Sequence, residues 1–153
     1  MRVQVVEARK RHLRIVERLL SKGDLAELEA GGLSPREALY EGLYRSIECK
    51  AIIVDGRPVA IFGLAPGPEG YEDTVGVPWL LSTDAITMIP LKLIREGRKV
   101  VRGWKELRPT LINTVFQGNP QAKRLIQALG FEFPDVPTYY HPETGEAFDV
   151  FSL

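Results

Sequence analysis

The alternation of hydrophobic and polar positions in residues 111–133 predicts a strand, a helix and a second strand in close succession. Residues 111–116 are apolar or β-branched, as in a buried strand, and the run breaks at Gly118. Asn119 and Pro120 then form the N-cap and first-turn pair of a helix, which Gly130 ends as a C-terminal cap. Residues 131–133 are expected to resume as a strand. The apolar face of this helix consists of Ala122, Leu125, Ile126 and Leu129.

The N-terminal third predicts one strand followed by two helices. Residues 3–7 form the strand, and residues 8–21 form an amphipathic helix on which His12 is expected to be a solvated surface residue. Residues 22–33, rich in glycine and acidic side chains, are interpreted as a loop with at most a short helical turn at 25–30. The capping box of Ser34 and Glu37 starts the second helix.

The central part predicts a hairpin, a further strand and a long helix. Residues 51–54 and 59–62 flank Asp55-Gly56, a pair favoured in tight β turns. The run 77–81 leads into Ser82, Thr83 and Asp84, which cap a helix from residue 86 to about 107. Pro90 is tolerated if it stays in the first turn. With a last strand at 147–153, the order is β-α-α-β-β-β-α-β-α-β-β, which indicates an α/β or α+β fold in a single domain, residues 1–153.

Composition narrows the class of protein. Twenty Lys and Arg residues balance twenty Asp and Glu residues, so we expect no nucleic-acid partner. No apolar run is long enough for a membrane span, and the N-terminus lacks the apolar centre of a signal peptide, which predicts a cytoplasmic protein. The lone Cys49 has no disulfide partner and no metal-ligand neighbour, so it is expected to be a small buried strand residue, and we expect no metal site.

The order of elements resembles that of the GNAT superfamily of acyl-CoA-dependent N-acyltransferases. The stretch from Asn119 through Ala122, Leu125 and Leu129 to Gly130-Phe131 is similar to the helix-and-strand motif near the end of those enzymes. The hairpin around Asp55-Gly56 resembles their second and third strands. The resemblance implies a mixed, mostly antiparallel sheet of about seven strands flanked by helices, with acetyl-CoA as the cofactor.

A closer resemblance is to small GNAT-like proteins of tailed phages, including the internal virion protein family of short-tailed coliphages. It implies a phage or prophage origin, a location in the bacterial host cytoplasm or the virion, and a phage or host protein as the partner. The residues that carry it are Gly56-x-Pro58-x-Ala60-Ile61, residues 79–84 (WLLSTD), Asn113-x-Val115-x-x-Gly118-Asn119 and Gly145-x-x-Phe148-x-x-Phe151.

The resemblance implies a CoA pyrophosphate site in the turn after the fourth strand. GNAT enzymes have a glycine-rich turn there, whose backbone N–H groups and helix N-terminus hold the phosphates. Residues 81–87 contain no glycine, and Asp84 adds a negative charge. The candidate cofactor-binding residues are Leu81, Ser82, Thr83 and Asn119.

The acid of many GNAT enzymes is a tyrosine directly after the Leu of the terminal motif, and this position is Ile126. The catalytic candidates that remain are Asn113, which could polarise a substrate group, and Tyr139 and His141, which lie in the turn before the last strand. For Tyr139 and His141 the alternative is a surface turn.

Two functions therefore stay open. The sequence favours the first, because the turn lacks glycine and the tyrosine is missing: a GNAT-fold protein with a degenerate acyl-CoA site that acts as a virion, assembly or interaction component. The second is an active acetyl-CoA-dependent N-acyltransferase with a non-standard phosphate-binding turn. The gap between the fourth and fifth strands discriminates between them, because Trp79 or Phe116 filling it would exclude acyl-CoA. A dimer through the C-terminal strands, at Phe148, Val150 and Phe151, is a further expectation.

Overall fold

The computed structural model describes residues 1–153, which form one seven-stranded sheet in the order β1-β2-β3-β4-β5-β7-β6. Neighbouring strands are antiparallel except β4 and β5, which are parallel. The sheet is therefore mixed and mostly antiparallel, as predicted. The strands are β1 (Val3–Glu7), β2 (Glu48–Val54), β3 (Arg57–Pro66), β4 (Val75–Ser82), β5 (Thr110–Phe116), β6 (Tyr139–Tyr140) and β7 (Ala147–Ser152).

Five helices flank the sheet, and local sequence signals explain two of their starts. Ser34 and Glu37 form the predicted capping box. The Asn119 side chain accepts a hydrogen bond from the Ala122 N–H, and Pro120 is the first helical residue. The helices are α1 (Lys10–Arg18), α2 (Lys22–Ala30), α3 (Pro35–Arg45), α4 (Pro90–Leu107) and α5 (Pro120–Ala128).

Each face of the sheet has its own hydrophobic core. Helices α1, α2 and α3 cover one face, where Leu13, Leu39 and Ile61 are fully buried. Helices α4 and α5 cover the other face, on which Trp104 packs against Phe62 with ring centroids 6.1 Å apart. Cys49 lies buried in β2 as predicted, and burial raises the pKa of its thiol to about 11, so the thiol stays protonated at neutral pH.

Three local predictions were wrong. Residues 22–30 form a complete helix, because Ser21 accepts a hydrogen bond from the Asp24 N–H and Leu28 packs into the core. Residues 131–133 form no strand and contribute only the bridge of Glu132 to Ser152. The helix expected from residue 86 is divided into a 3₁₀ turn at Asp84–Met88 and α4, which begins at Pro90.

His12 is buried rather than solvated. Its Nδ1 accepts a hydrogen bond from the Arg9 N–H, which closes the first turn of α1, and only 6% of the residue is exposed. Burial lowers its pKa, and the nearby Arg11 and Arg9 lower it further. A cluster of basic neighbours in the sequence had suggested a surface position, but His12 lies on the inner side of the helix.

Candidate functional site in the gap between two strands

The parallel strands β4 and β5 separate soon after they meet. Their pairing consists of Val75 with Thr110 and Gly76 with Leu111, although β4 continues to Ser82 and β5 to Phe116. A gap therefore opens through the sheet. We call the end of the gap nearest this pairing the lower end. There the Asn113 Nδ2 donates a hydrogen bond to the Pro78 carbonyl oxygen at 2.8 Å.

The opposite end, at the last residues of β4 and β5, is called the upper end. Helix α2 closes it with the carboxylate of Asp24. Asp24 Oδ2 accepts hydrogen bonds from the Ser82 N–H at 2.9 Å and from the Ser82 hydroxyl at 3.3 Å. Asp24 Oδ1 accepts one from Asn119 Nδ2 at 3.1 Å. The Ser21 N–H also donates to the Ser82 carbonyl, so the start of α2 is tied to the end of β4.

Glu27 lies one helical turn further along α2 and reaches β5. Its Oε1 accepts hydrogen bonds from the Phe116 N–H at 3.0 Å and from Asn119 Nδ2 at 3.3 Å. Its Oε2 accepts no hydrogen bond, and Glu27 lines the cavity that contains the gap. Glu27 therefore has one fixed oxygen and one oxygen able to exchange a proton.

Burial shifts the pKa of both carboxyl groups upward. Desolvation raises the pKa of Glu27 to about 7, and the charge of Asp24 adds to the rise, while the bonds from Phe116 and Asn119 oppose it. Burial also raises the pKa of Asp24, against hydrogen bonds from Ser82, Asn119 and Ser21. Neither carboxyl group is paired with a Lys or Arg side chain. A carboxyl group with a pKa near 7 is suited to take up and release a proton at neutral pH.

Between its two ends, the edge of β4 that faces the gap has no strand partner. Ser82 directs both its N–H and its carbonyl into the gap, and Pro78 directs its carbonyl the same way. Alternate residues of a strand point their backbone groups to the same edge. The N–H and carbonyl of Leu80 therefore face the gap and are free to pair with an extended ligand.

Neither of the two large aromatic residues fills the gap. The Trp79 indole N–H donates to the Ser46 hydroxyl at 2.8 Å, and its ring lies so close to Gly42 and Gly63 that a Cβ at either would contact it within 3.0 Å. The Phe116 ring packs on Phe148 of β7, with centroids 5.6 Å apart. The cavity that includes the gap has a volume of about 1420 Å³.

The four candidate cofactor-binding residues have different surroundings. Ser82 and Asn119 are brought together around Asp24, and both are buried. The Thr83 hydroxyl accepts a hydrogen bond from the Ala85 N–H at 3.2 Å and donates to the Val59 carbonyl. Leu81 packs in the core beneath α1, α2 and α3. The polar groups of the three others are thus used within the protein.

The three catalytic candidates do not meet at one point. Asn113 bridges the lower end of the gap. Tyr139 is 44% exposed and packs edge-on against Phe148. His141 Nδ1 accepts hydrogen bonds from the Glu143 and Thr144 N–H groups, which closes the surface turn before β7.

Sequence reasoning missed Asp24 and Glu27. Both lie in the segment interpreted as a loop, where acidic side chains are usually solvated. The available signal was the spacing of Asp24, Glu27 and Leu28, which places the two carboxyl groups on the same side of a helix as an apolar residue.

No group of three or more His, Cys, Asp or Glu side chains is arranged to hold a metal ion. No helix combines the length and apolarity that a membrane span needs.

The fold is that of the GNAT N-acetyltransferases. The chain is similar to ribosomal-protein-alanine N-acetyltransferase from Brucella melitensis, with a TM-score of 0.72, 11% identity and 98% of each chain covered. It is similar to a GCN5-related N-acetyltransferase from Kribbella flavida, with a TM-score of 0.67 and 16% identity over 99% of this chain and 96% of that one. It is also similar to spermidine N-acetyltransferase from Vibrio cholerae, solved with CoA and spermine, with a TM-score of 0.68 and 11% identity over 99% and 94%. No protein-family model and no curated protein sequence matches the chain.

Proposed function

We propose that the protein is an acyl-CoA-dependent N-acyltransferase in which Glu27 is the general base. The observation that carries the proposal is the gap between β4 and β5, whose free strand edge at Leu80 adjoins a half-buried carboxyl group with a pKa of about 7. The fold of the structural relatives supports it. Fold alone does not establish an activity, so the argument depends on the gap and Glu27.

The gap fits the extended pantetheine arm of an acyl-CoA. Its amide groups can pair with the N–H and carbonyl of Leu80, as a further strand would. The glycine-free turn at residues 81–87 offers no backbone cradle for the phosphates. Two basic side chains that line the same cavity and take part in no ion pair supply positive charge instead; they are Lys92 of α4 and Arg124 of α5.

Glu27 performs the proton transfer in this proposal. Acyl-CoA, when bound, supplies a thioester whose C–S bond is exchanged for a C–N bond to the amine, and the thiol leaves. Glu27 Oε2 takes a proton from the acceptor ammonium group, directly or through one water molecule. Phe116 and Asn119 hold Oε1, which leaves Oε2 free of hydrogen bonds on a residue that lines the cavity. Ile126 cannot donate a proton to the leaving thiolate, so the second proton that the nitrogen loses as the amide forms passes to the thiolate through water.

A second candidate is a phage or prophage protein of the same fold with a degenerate acyl-CoA site, acting as a virion or assembly component. Its support is the motif resemblance given above, together with three features of the phosphate turn and α5. The turn lacks glycine, the Ser82 N–H is bonded to Asp24, and Ile126 replaces the tyrosine of the terminal motif. Under this hypothesis the gap no longer binds acyl-CoA, and the role of Asp24 and Glu27 is only to stabilise the fold.

Titration with acetyl-CoA and longer acyl-CoAs by calorimetry, followed by a thiol-release assay over a panel of amines, tests the proposal. We expect saturable binding, and we expect Glu27→Gln to bind within twofold of the wild type while turnover falls by about 10² or more. Glu29→Gln is the matched control, because Glu29 is on the same helix and is exposed. Absence of binding at millimolar acyl-CoA would refute the acyltransferase and favour the second candidate.

A further inference from the structure

We propose that Asn119 and Asp24 are positioning residues for Glu27, holding its carboxyl group at the gap and keeping one of its oxygens available for proton exchange. This inference rests on the proposed function, in which Glu27 is the base. It assigns Asn119 an internal role in place of the predicted contact with a cofactor.

The amide of Asn119 is fully engaged by the protein. Its Nδ2 has two hydrogens, and it donates to Asp24 Oδ1 at 3.1 Å and to Glu27 Oε1 at 3.3 Å. Its Oδ1 accepts from the Ala122 N–H at 3.4 Å, and the residue is 2% exposed. An amide with both donor hydrogens used and almost no exposed surface offers no donor to a ligand, so its contacts serve the two carboxyl groups.

The two carboxyl groups are not equivalent. Three hydrogen bonds from Ser82 and Asn119 reach both oxygens of Asp24 and stabilise its charged form, so they oppose the uptake of a proton there. Glu27 accepts on Oε1 only. A proton entering the pair is therefore directed to Glu27 Oε2, and the charge of Asp24 strengthens the hold on that proton.

Asp24 is the one charged group that shifts the pKa of Glu27, and on α3, which also packs against α2, Arg45 is paired with Glu41 at 2.9 Å. On β4, Ser82 contacts the pair of carboxyl groups through Asp24, and on β5 the backbone of Phe116 contacts Glu27. On α5, Lys123 is engaged with Asp149 at 2.8 Å. In the C-terminal turn, His141 and Glu143 lie against Gly32, beyond the end of α2. The proton affinity of Glu27 is thus set by burial, Asp24, Asn119 and the Phe116 N–H.

The close approach of α2 to Asn119 supports the same role independently. A Cβ at Gly23 would lie 2.5 Å from Asn119 Oδ1, so a glycine is needed there for the helix to come this near. Glycine within a helix is unfavourable by about 1 kcal/mol relative to alanine. The contact that this glycine permits is the one that joins Asn119 to Asp24 and Glu27.

The test is Asn119→Asp, with the titration of Glu27 followed by NMR of ¹³C-labelled glutamate carboxyl groups and assigned with Glu27→Gln. Aspartate caps a helix as well as asparagine does, so the start of α5 is retained. It removes the donor to Glu27 and adds a negative charge beside it, and both changes raise the midpoint of Glu27. The titration of the variant starts at pH 5.5, where a protonated carboxyl group in the cluster can donate the hydrogen bond that Asn119 Nδ2 no longer provides.

We expect the midpoint to rise by at least one pH unit, and the acidic limb of kcat/KM to move with it, so that activity at pH 7 falls about fivefold or more. Asn119→Ser, a neutral cap, should give a smaller rise, and Glu29→Gln should give none. A midpoint within 0.3 units of wild type in Asn119→Asp would overturn the positioning role. The titration needs no substrate, so its failure is distinguishable from failure of the acyl-transfer assay, which would refute the proposed function instead.

Discussion

The two ends of the gap between β4 and β5 are closed by different chemistry. At the lower end, a neutral amide of Asn113 donates to the carbonyl of Pro78. At the upper end, two carboxyl groups of α2 accept hydrogen bonds from the backbone of β4 and β5 and from Asn119. About 13 Å of strand separates Pro78 from Ser82.

The difference between the two ends shows which of them changes its charge with pH. The lower bond joins neutral groups, so its strength does not depend on pH. The upper end includes Glu27, whose pKa of about 7 makes its charge variable in the neutral range. One gap thus has a constant end, near the point where the strands pair, and a titrating end, beside the candidate phosphate turn.

The largest predicted effect is a loss of stability as pH rises. The folded-state pKa of Glu27 is raised from 4.5 to about 7, so its contribution is fully present below pH 4.5 and is lost as pH rises through 7. We expect the wild type to lose about 3 kcal/mol of unfolding free energy from this group by pH 8. Urea denaturation at several pH values measures the loss.

The matched variant for this prediction is Glu27→Gln. Glutamine retains an acceptor oxygen for the Phe116 N–H and Asn119 and does not ionise. Its stability should therefore change much less between pH 5 and pH 8. An equal slope in the wild type and the variant would show that Glu27 does not titrate near neutrality.

A smaller effect is expected from Gly23→Ala, which breaks the upper end without altering a charge. The new Cβ would lie 2.5 Å from Asn119 Oδ1, and Asn119 is held by its own hydrogen bonds and cannot move freely. We expect a net destabilisation of about 1 to 2 kcal/mol, after the gain in helix propensity is included. Thermal or urea unfolding measures it.

Gly103→Ala in α4 is the control for that prediction. Nothing lies within 4 Å of a Cβ at Gly103, so alanine there should stabilise the protein by up to about 1 kcal/mol. Opposite signs for the two substitutions would place the effect at the contact with Asn119. Stabilisation by both would mean that α2 can move away from α5 at little cost.

The lower end of the gap was more accessible to sequence reasoning than the upper end. Residues 77–81 and 111–116 were predicted as strands from apolar runs, whereas at the upper end only Asn119 was predicted, as a helix cap, from its neighbours Gly118 and Pro120. These signals are local, since each depends on residues a few positions apart. The mixed, mostly antiparallel sheet was implied by the resemblance to GNAT enzymes, which the order of these elements helps to carry.

The upper end depends on contacts that no local pattern shows. Asp24 meets Ser82 across 58 positions and Asn119 across 95, and Glu27 meets the Phe116 N–H across 89. A segment with glycine and several acidic residues favours a solvated loop until those partners are known. The side of α1 on which His12 lies was misjudged for the same reason, because its burial is decided by packing rather than by its basic neighbours.

The smallest predicted effect comes from Asn113→Ala at the lower end. The substitution removes the 2.8 Å bond to the Pro78 carbonyl and the bond that the side chain accepts from the Thr114 N–H. Because both groups are half-buried and water can replace part of each bond, we expect a loss of about 1 kcal/mol. The loss should be the same at pH 5 and pH 8, since no ionisable group takes part.

Asn113→Ala combined with Glu27→Gln should give the sum of the two single effects within about 0.5 kcal/mol, because the sites share no partner. Strong coupling between them would mean that the two ends of the gap open together, and the distinction between a constant end and a titrating end would fail.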